Sequence, residues 1–599
     1  MYVVFPKNVE DKIRYIHEYA KASNAATASK VDANSNVTQK TIAGLEAELF
    51  KPDTIMINRQ LVKNKLKCMY DDELAEKYEE DLANHYIYTH DETSLKPYCA
   101  SITLYPFLLE GTKCLGGVSK APKNIRSFCG SFVNLVYQIA SNFSGAIATV
   151  EFLHMFDYFA RKTYGSDYLT THKLDIKQEL QGVVYALNQP ASARGDQSVF
   201  WNISVFDHDY LNEMFGGFYY PDGSKVSIDS VYKLQLFFLD WFREERQKEL
   251  LTFPVVTAAL LYDKDKKFKD PDFKDYLAYM NSLGLSFFVY MSDRVDSLAS
   301  CCRLRNELVD NTFSYTLGAG GVVTGSARVI TININRVIQK HENLTELVQC
   351  VHKYLTAHKA VLKDYIDAGL LPAYTQGFMD LDKQFLTVGV NGVLEGYEFL
   401  QGCGRIDYDM YDYEEYLVDI LHLIKDLNAT DSKKYGVRFN TEFVPAENLG
   451  VKNAKWDKED GLYVPRACYN SYFYPVEDEF MSVLDKLKLY SKDITDNLDG
   501  GSALHLNLEQ LLSFTQFAHL YDLCAQYGVQ YWTTNVLCTI CNDCGYINPE
   551  TTGYCTHCNS TNVDYGTRVI GYLKRISNFS EARQKEAGKR YYHKLNIKR

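Results

Sequence analysis

The stretch CTICNDCGYINPETTGYCTHCNSTNVDYGTRVIGY, residues 538–572, does most to decide the fold class and the function of this chain. It contains two Cys-x-x-Cys pairs, Cys541 with Cys544 and Cys555 with Cys558. Four thiolates at this spacing can occupy the corners of a tetrahedron, which is the geometry of a structural zinc site. A single pair is compatible with chance or redox activity, but two pairs in tandem favour zinc. We therefore predict that these four cysteines bind Zn²⁺.

The register of the first pair is ambiguous, because Cys538 and Cys541 are also separated by two residues. We assign the ligand pair to 541 and 544, since Gly545 follows Cys544 and a small residue there lets backbone amides turn toward the sulfurs. Asn559 can play the same part after Cys558. His557, inside the second pair, is expected to be a surface side chain rather than a ligand.

The composition of the chain limits the classes of protein to which it can belong. The chain has 599 residues, a net charge of −12 and 46% hydrophobic residues, which is typical of a soluble globular protein. It contains no apolar run of about 18 residues, and its N-terminus turns charged at Lys7, so we expect neither a transmembrane helix nor a signal peptide. The 15 cysteines are odd in number and clustered, which indicates metal or redox chemistry in a reducing cytoplasm rather than a disulfide framework.

Hydrophobic patterning predicts alternating strands and helices, and therefore an α/β fold with largely parallel connections. Asn507 with Gln510 predicts an N-terminal capping box, and Gly528 a C-terminal cap, for a helix near 507–527. Composition changes at about residue 538, which predicts a catalytic domain over 1–537 with an N-terminal helical region, and a C-terminal domain over 538–599. The other predicted elements are helices over 231–251 and 343–365, and strands over 252–261, 285–291, 327–335 and 437–443.

The second motif of the opening stretch is Arg568-Val569-Ile570-Gly571-Tyr572. It resembles the radical loop of glycyl-radical enzymes. A radical at Cα must be planar to be shared with the flanking amides, and glycine alone has no Cβ to crowd it. A zinc ribbon directly before such a loop resembles, more narrowly, the anaerobic (class III) ribonucleoside-triphosphate reductases. Further similar segments, from about residue 33 to the C-terminus, include 188–204, 253–255, 439–458 and 498–510.

This resemblance implies a ten-stranded α/β barrel with a central finger loop, followed by a small zinc-ribbon and glycyl-radical domain. It implies that a separate iron–sulfur activase, using S-adenosylmethionine, generates the radical on Gly571. In the segment Cys301-Cys302-Arg303, the cysteine before the arginine matches the thiyl position, so Cys302 is the predicted radical carrier and Cys301 remains an alternative. Cys99, after an extended run and His-Asp, matches the cysteine on the opposite ribose face.

The resemblance also implies substrates and partners. We expect ribonucleoside triphosphates as substrates, deoxynucleotide effectors, a homodimer, and formate as reductant in the commonest branch of the family. Other branches use a thioredoxin-like or glutaredoxin-like protein. Because only about 30 residues precede the similar region, we expect no ATP-cone and no overall-activity switch. The seven cysteines without an assigned role, at 68, 114, 129, 350, 403, 468 and 524, are expected in the core.

Two other hypotheses are compatible with part of the sequence. Another glycyl-radical enzyme, such as a pyruvate formate-lyase or a diol dehydratase, would explain Gly571 but not the ribbon or Cys99. A zinc-ribbon protein that binds nucleic acid would explain the cysteines and the basic segment 567–599, which has ten Lys and Arg against two Glu. It would leave most of the α/β chain without a purpose, and the acidic overall charge disfavours it.

Overall fold

The computed structural model describes most of the chain. The described residues are 9–29, 31, 37, 39–191, 194, 196–295, 297–300, 304–307, 323–403, 412–443, 449–470, 472–498, 502–568 and 572–593, with the backbone alone for 297–300, 304–307 and Cys114, so the prediction that Cys114 lies in the core falls outside the described side chains.

The elements are numbered in chain order. The strands of the described chain are β1 Ile87–Thr89, β2 Cys99–Ser101, β3 Ile147–Ala148, β4 Pro190–Ala191, β5 Gln197–Ser198, β6 Trp201–Phe206, β7 Val255–Leu261, β8 Phe288–Ser292, β9 Ser297–Ser300, β10 Leu304–Glu307, β11 Thr324–Asn333, β12 Phe385–Asn391, β13 Phe439–Glu442, β14 Leu504–Leu508, β15 Tyr531–Val536, β16 Cys538–Cys541, β17 Ile547–Asn548, β18 Val563–Arg568 and β19 Leu573–Arg575. The helices are α1 Val9–Lys21, α2 Ala25–Ala28, α3 Ile42–Met69, α4 Asp72–Ala83, α5 Tyr105–Glu110, α6 Ile125–Ala140, α7 Phe152–Tyr164, α8 Tyr168–Thr171, α9 Lys173–Leu187, α10 His208–Phe215, α11 Ile228–Arg246, α12 Pro271–Ser282, α13 Ile334–Lys340, α14 Leu344–Asp367, α15 Pro372–Thr375, α16 Val393–Gly402, α17 Tyr413–Tyr435, α18 Leu449–Glu459, α19 Val483–Leu489, α20 Lys492–Thr495, α21 Phe514–Tyr527 and α22 Glu581–Lys589.

One large sheet organises the fold. Its strand order is β13-β12-β11-β2-β3-β6-β7-β8-β15-β14, with β1 paired to β11 as an eleventh strand. The five central strands, β2, β3, β6, β7 and β8, run parallel to one another. Strands β11, β12 and β13, which follow β2 at one end of the row, are antiparallel to these five strands. Strands β15 and β14, which follow β8 at the other end, are antiparallel to them as well. The sheet path therefore contains the ten strands that were predicted.

The inner strands are buried on both faces. Every residue of β6, β7, β8 and β11 is buried. Helices such as α6, α7, α11 and α14 cover the outer face, which explains why these strands read as continuous apolar runs. The predicted strands and the helices over 231–251 and 343–365 correspond to β7, β8, β11, β13, α11 and α14.

A two-stranded hairpin occupies the other side of the sheet. Strand β9 pairs with β10, and Ser300 lies opposite Leu304. The backbone of β9 approaches β6, β7 and β8, whereas β10 approaches β11. The two halves of the sheet therefore face each other across the hairpin, which is the arrangement expected of a barrel with a central finger.

One predicted helix boundary is wrong. Asn507 lies in β14, and the helix begins at Phe514, where Ser513 and Gln516 form the capping box. The C-terminal end is as predicted, because Gly528 adopts a left-handed conformation with φ +69°. The alternating residues of 504–508 pair with β15, and this tertiary pairing outweighs the local capping signal at Asn507.

The C-terminal segment forms its own antiparallel sheet, β17-β16-β18-β19. It contacts the C-terminal end of α11 through a bond from the Ile547 N–H to the Gln247 carbonyl at 3.1 Å. The Asn24 side chain donates to the carbonyls of Ser577 and Phe579, so N-terminal helices also contact this segment. The division at residue 538 stays a prediction. Within the described residues, none of the helices combines the length and the apolar character needed to cross a membrane.

Candidate active site and metal centre

The four predicted zinc ligands come together. The sulfur atoms of Cys541, Cys544, Cys555 and Cys558 all lie within 4.8 Å of one another, and the 541–558 and 544–555 pairs are each 3.6 Å apart. A tetrahedral zinc ion with Zn–S bonds of about 2.3 Å requires sulfurs about 3.8 Å apart. The donor set and its geometry therefore fit a structural zinc ion.

The turns that present these thiols explain the spacing. Gly545 and Asn559, each one residue after the second cysteine of a pair, adopt left-handed conformations with φ of +79° and +60°. The N–H of Cys544 points at the sulfur of Cys541, and the N–H of Cys558 points at that of Cys555, both at 3.5 Å. Backbone donors thus stabilise the two thiolates that begin the pairs.

Cys538 and His557, the other candidate ligands nearby, do not belong to this cluster of four thiols. Cys538 lies in β16, where its thiol donates to the Gly566 carbonyl at 3.5 Å and burial raises its pKa to about 11. The ring of His557 stacks on Tyr546, with centroids 5.4 Å apart, and is not one of the clustered ligand atoms. The choice of register and the surface assignment of His557 agree with this geometry.

Cys99 is buried at the start of β2. Its neighbour Ala100 lies in register with Ile147 of β3, which lies in register with Trp201 of β6. The Trp201 ring packs against Phe132 and therefore faces the outer helices. Because side chains alternate along a strand, Cys99 faces the inside of the sheet, toward the hairpin.

The backbone around Cys99 is tightly enclosed. The Gln384 side chain donates to its carbonyl oxygen at 2.9 Å. Gly325 of β11 has φ +149°, and a Cβ there would lie 2.3 Å from the same oxygen. Only glycine permits this close approach, so the packing of β11 against β2 fixes the position of Cys99.

The two other predicted catalytic residues lie outside the described residues. Cys301 and Cys302 belong to the three residues that connect β9 to β10 in sequence. Gly571 belongs to the three residues that connect β18 to Tyr572. The roles of Cys302, Gly571 and Cys99 remain predictions.

The residues on either side of 569–571 are firmly held. The Arg568 guanidinium is buried and donates to the carbonyl and the hydroxyl of Ser286, just before β8. The Tyr572 ring packs on Phe200 and Phe253, which immediately precede β6 and β7, at 4.8 and 5.8 Å between centroids. Both flanks therefore sit at the edge of the sheet where the central parallel strands begin.

Cys99 lies at the same edge. Extending the register of β2, β3 and β6 by one residue, and that of β6 and β7 by two, aligns Cys99 with Ala146, Phe200 and Phe253. Parallel neighbours are about 4.8 Å apart, so Cys99 lies about 10 Å along this row from Phe200, on which Tyr572 packs.

A buried amide reinforces the segment before 569–571. Asn535 of β15 accepts the Arg568 N–H at 2.9 Å and donates to Asn507 at 2.8 Å and to Thr567 at 3.0 Å. Nothing in the spacing of Asn535 marked this role. The signal available in the sequence was an amide side chain within the largely apolar run GVQYWTTNVL, residues 528–537.

The C-terminal strap, defined as residues 581–593, covers the same segment. The Arg590 guanidinium donates to the Arg568 carbonyl at 3.0 Å, and the Tyr592 hydroxyl lies 3.2 Å from that of Thr567. His593 pairs with the edge strand β14 through its N–H to the Asn507 carbonyl. From the sequence alone these cations were interpreted only as part of a basic segment.

The cysteines without an assigned role are not uniformly in the core. Cys129 and Cys524 are buried, and Cys350 and Cys468 are partly buried. Cys68 and Cys403 are exposed, so their prediction was wrong. Both lie near helix ends, where a cysteine in an amphipathic pattern can point to solvent.

Comparison with known proteins agrees with this architecture. A family model described as "Anaerobic ribonucleoside-triphosphate reductase" matches residues 46–593. A solved structure described as an anaerobic ribonucleotide reductase has a TM-score of 0.85 and 27% identity, covering 98% of this chain and 93% of that chain. The Thermotoga maritima anaerobic ribonucleotide reductase in complex with dATP and CTP has a TM-score of 0.81 and 27% identity, covering 98% and 100%.

A second structure of the Thermotoga maritima enzyme, with dATP bound in the specificity site, has a TM-score of 0.79 and 27% identity, covering 97% of this chain and 100% of that chain. No curated protein sequence matches the chain. The family model spans most of the chain, so the chain is an oxidoreductase that acts on ribonucleotides. The chain belongs to the anaerobic ribonucleoside-triphosphate reductase family.

Proposed function

We propose that the chain reduces ribonucleoside triphosphates to 2′-deoxyribonucleoside triphosphates by glycyl and thiyl radical chemistry, and so supplies DNA synthesis. The observation that carries this proposal is the anchoring of both flanks of 569–571 at the edge of the sheet where Cys99 lies. A radical stored on Gly571 needs a thiol within reach, and the hairpin whose ends are joined by 301–303 lies between the halves of the same sheet.

In the proposed reaction, the Gly571 radical takes the hydrogen atom of the Cys302 thiol. The resulting thiyl radical removes the 3′-hydrogen of the ribose. The 2′-hydroxyl then leaves as water, and Cys99 supplies a hydrogen atom to C2′, which leaves C3′ as a ketone and the sulfurs of Cys99 and Cys302 joined in a disulfide radical anion. Formate is then oxidised to CO₂, and its two electrons with protons reduce the ketone and the sulfur pair, so that the 3′-hydrogen, the Cys99 thiol and the Cys302 thiyl radical are restored. The overall balance is ribonucleotide plus formic acid giving deoxyribonucleotide, CO₂ and water.

Zinc has a structural role in this proposal. The four thiolates leave no open position for a substrate, and the ribbon they close carries β18, which leads to 569–571. When bound, the ion supplies folding free energy rather than reactivity. The chain's own residues Arg568 and Tyr572, with their partners, then hold the two ends of 569–571 at the sheet.

The proposal includes partners. An activase with an iron–sulfur cluster and S-adenosylmethionine would abstract hydrogen from Gly571. The Thermotoga maritima structures contain dATP and CTP, which supports deoxynucleotide effectors and ribonucleoside triphosphate substrates here. We also propose a homodimer, and a reducing, anaerobic cytoplasm because the thiols and the radical require one. Formate rather than a thioredoxin-like or glutaredoxin-like protein is the proposed reductant.

The test is electron paramagnetic resonance of the protein after anaerobic incubation with activase, S-adenosylmethionine and a reductant. We expect a doublet from one α-hydrogen, which Gly571→Ala abolishes. Gly553→Ala is the matched control, because a Cβ at Gly553 meets no atom within 4 Å. CTP with formate should then yield dCTP. Full activity of Gly571→Ala, or no doublet with an activase proven on another substrate, would refute the proposal.

A further inference from the structure

Three arginines line a small cavity between the C-terminal end of α11 and the ribbon sheet formed by β16 to β19. Arg243 and Arg246 belong to the last turn of α11, and Arg568 is the last residue of β18. The cavity has a volume of about 60 Å³. The described residues that line it include no Asp, Glu, Lys or His, so the ionised side chains around this space are all cations.

Two of the three guanidinium groups converge on one oxygen atom. The Ser286 carbonyl accepts a hydrogen bond from Arg246 at 3.1 Å and another from Arg568 at 2.8 Å. The two donor nitrogens therefore lie within about 6 Å of each other, a distance at which like charges repel strongly where water is excluded. Burial lowers the pKa of Arg246 only to about 10, so this guanidinium is charged at neutral pH.

The protein supplies little negative charge to offset Arg246. Asp240 and Glu244 attract Arg243 from the same helix, whereas Cys538 is the one group of the described chain that attracts Arg246. The Cys538 thiol also lines the cavity, but its pKa of about 11 keeps it neutral. The carbonyls at the end of α11 contribute about half a negative charge. The charge of Arg246 is therefore not balanced by these groups.

We infer that this cavity binds a small oxyanion between Arg246 and Arg568. A guanidinium presents its N–H donors in a planar fork, which suits two oxygens of one phosphate or carboxylate. A water molecule needs about 10–15 Å³ of such a cavity, so this one holds roughly four to six atoms of that size. Inorganic phosphate or formate fits this space, whereas a nucleotide does not.

The oxyanion contacts both sides of one interface, since Arg246 belongs to α11 and Arg568 belongs to the ribbon sheet. The same interface includes the bond from the Ile547 N–H to the Gln247 carbonyl at 3.1 Å. Close by, a Cβ added at Gly284 would lie 2.3 Å from a carbon of Pro549, so the ribbon packs tightly there. An oxyanion in the cavity therefore stabilises the docked ribbon, and with it the start of 569–571.

Hydrogen exchange of the Ile547 N–H tests this inference, because its bond to Gln247 crosses the interface. The probe is inorganic phosphate, titrated against chloride at constant ionic strength. The protein is unactivated and zinc-loaded, and dATP and CTP are present to fill the nucleotide sites. Phosphate at about ten times its Kd should slow the exchange roughly 10-fold. Arg246→Met should abolish this slowing. Lys248→Met should keep it, since Lys248 is exposed and does not line the cavity.

A parallel titration with formate distinguishes the two sources of the oxyanion. Slowing by either anion that is lost in Arg246→Met and kept in Lys248→Met supports the inference. No slowing beyond that of chloride, or an equal slowing in Arg246→Met, overturns it. The comparison of anions on the wild-type protein needs no variant, so the inference can fail even if Arg246→Met does not fold. Because no radical is formed, the result is independent of the proposed radical chemistry.

Discussion

The first prediction concerns how the buried Arg590 side chain holds the C-terminal strap in place. Arg590 has a side chain that is 1% exposed, pairs with Glu586 at 2.6 Å and donates to the Arg568 carbonyl. Its replacement by Met keeps the length and apolar volume of the side chain but removes both interactions. We expect Arg590→Met to detach the strap while the large sheet stays folded.

The magnitude follows from the buried pair. Removing one partner of a buried ion pair costs about 3–5 kcal/mol, because the other charge is left uncompensated. Glu586 keeps a second cation, Arg583, at 3.4 Å, so the lower end applies. About 3 kcal/mol corresponds to a roughly 100-fold higher population of the detached strap.

Hydrogen exchange measures this directly. The N–H groups of Tyr591 and His593 bond to the carbonyls of Val476 and Asn507, so their exchange reports the docked strap. In Arg590→Met, exchange in 590–593 should accelerate roughly 100-fold, whereas α14 should not change.

Lys589→Met is the matched control, since Lys589 is exposed, and it should behave as the wild type. In the radical assay, Arg590→Met should form at least the wild-type glycyl signal, because the loop is easier for the activase to reach, but should turn over more slowly. Unchanged exchange together with unchanged turnover would show that the strap does not hold the loop.

Three further predictions concern the thiols and one carboxyl. Cys302→Ser should allow the glycyl radical to form but stop CTP reduction; if Cys301→Ser does this instead, the radical carrier has been assigned to the wrong cysteine. Cys544→Ser should reduce the zinc content and the yield of glycyl radical, whereas Cys538→Ser should keep the metal, as measured by atomic absorption and electron paramagnetic resonance. Complete burial raises the pKa of the Glu151 carboxyl to about 8 in the folded protein. Folding therefore takes up a proton between about pH 4.5 and 8, and the free energy of unfolding should fall as the pH rises through this window, by about 5 kcal/mol at most. Denaturant titration of Glu151→Gln should remove this slope, and a wild-type protein whose stability rises across that window would contradict the assignment.

Features formed by residues close together in the chain could be predicted from the sequence. The predicted zinc ligands follow from the spacing of the cysteines together with the turn residues Gly545 and Asn559, because each pair and its turn residue form one short unit. The buried strand β7 follows from its uninterrupted apolar run. The ten-stranded barrel was predicted only through the family resemblance, and the order of its strands was not predicted, since no local pattern encodes which strands are neighbours.

Long-range contacts were not predictable from the sequence. Arg590 looks like one cation in a basic tail, yet it is buried against a carbonyl 22 residues earlier in the chain. Arg568 and Arg583 are buried as well, so part of the positive charge that suggested nucleic-acid binding is internal. Asn507 likewise does not cap a helix, because it belongs to β14 and pairs with β15.

The reason for a metal in this domain can be argued from its small core. Its buried apolar cluster consists of Cys538, Ile540 and Ile547, with Leu573 packed against it. Burying one such side chain contributes about 1.5–3 kcal/mol, whereas a structural zinc site contributes about 10–16 kcal/mol. The fold of the ribbon therefore depends chiefly on the metal. Because β18 of this ribbon ends at Arg568, we propose that zinc binding fixes where the segment 569–571 begins, without taking part in the reaction.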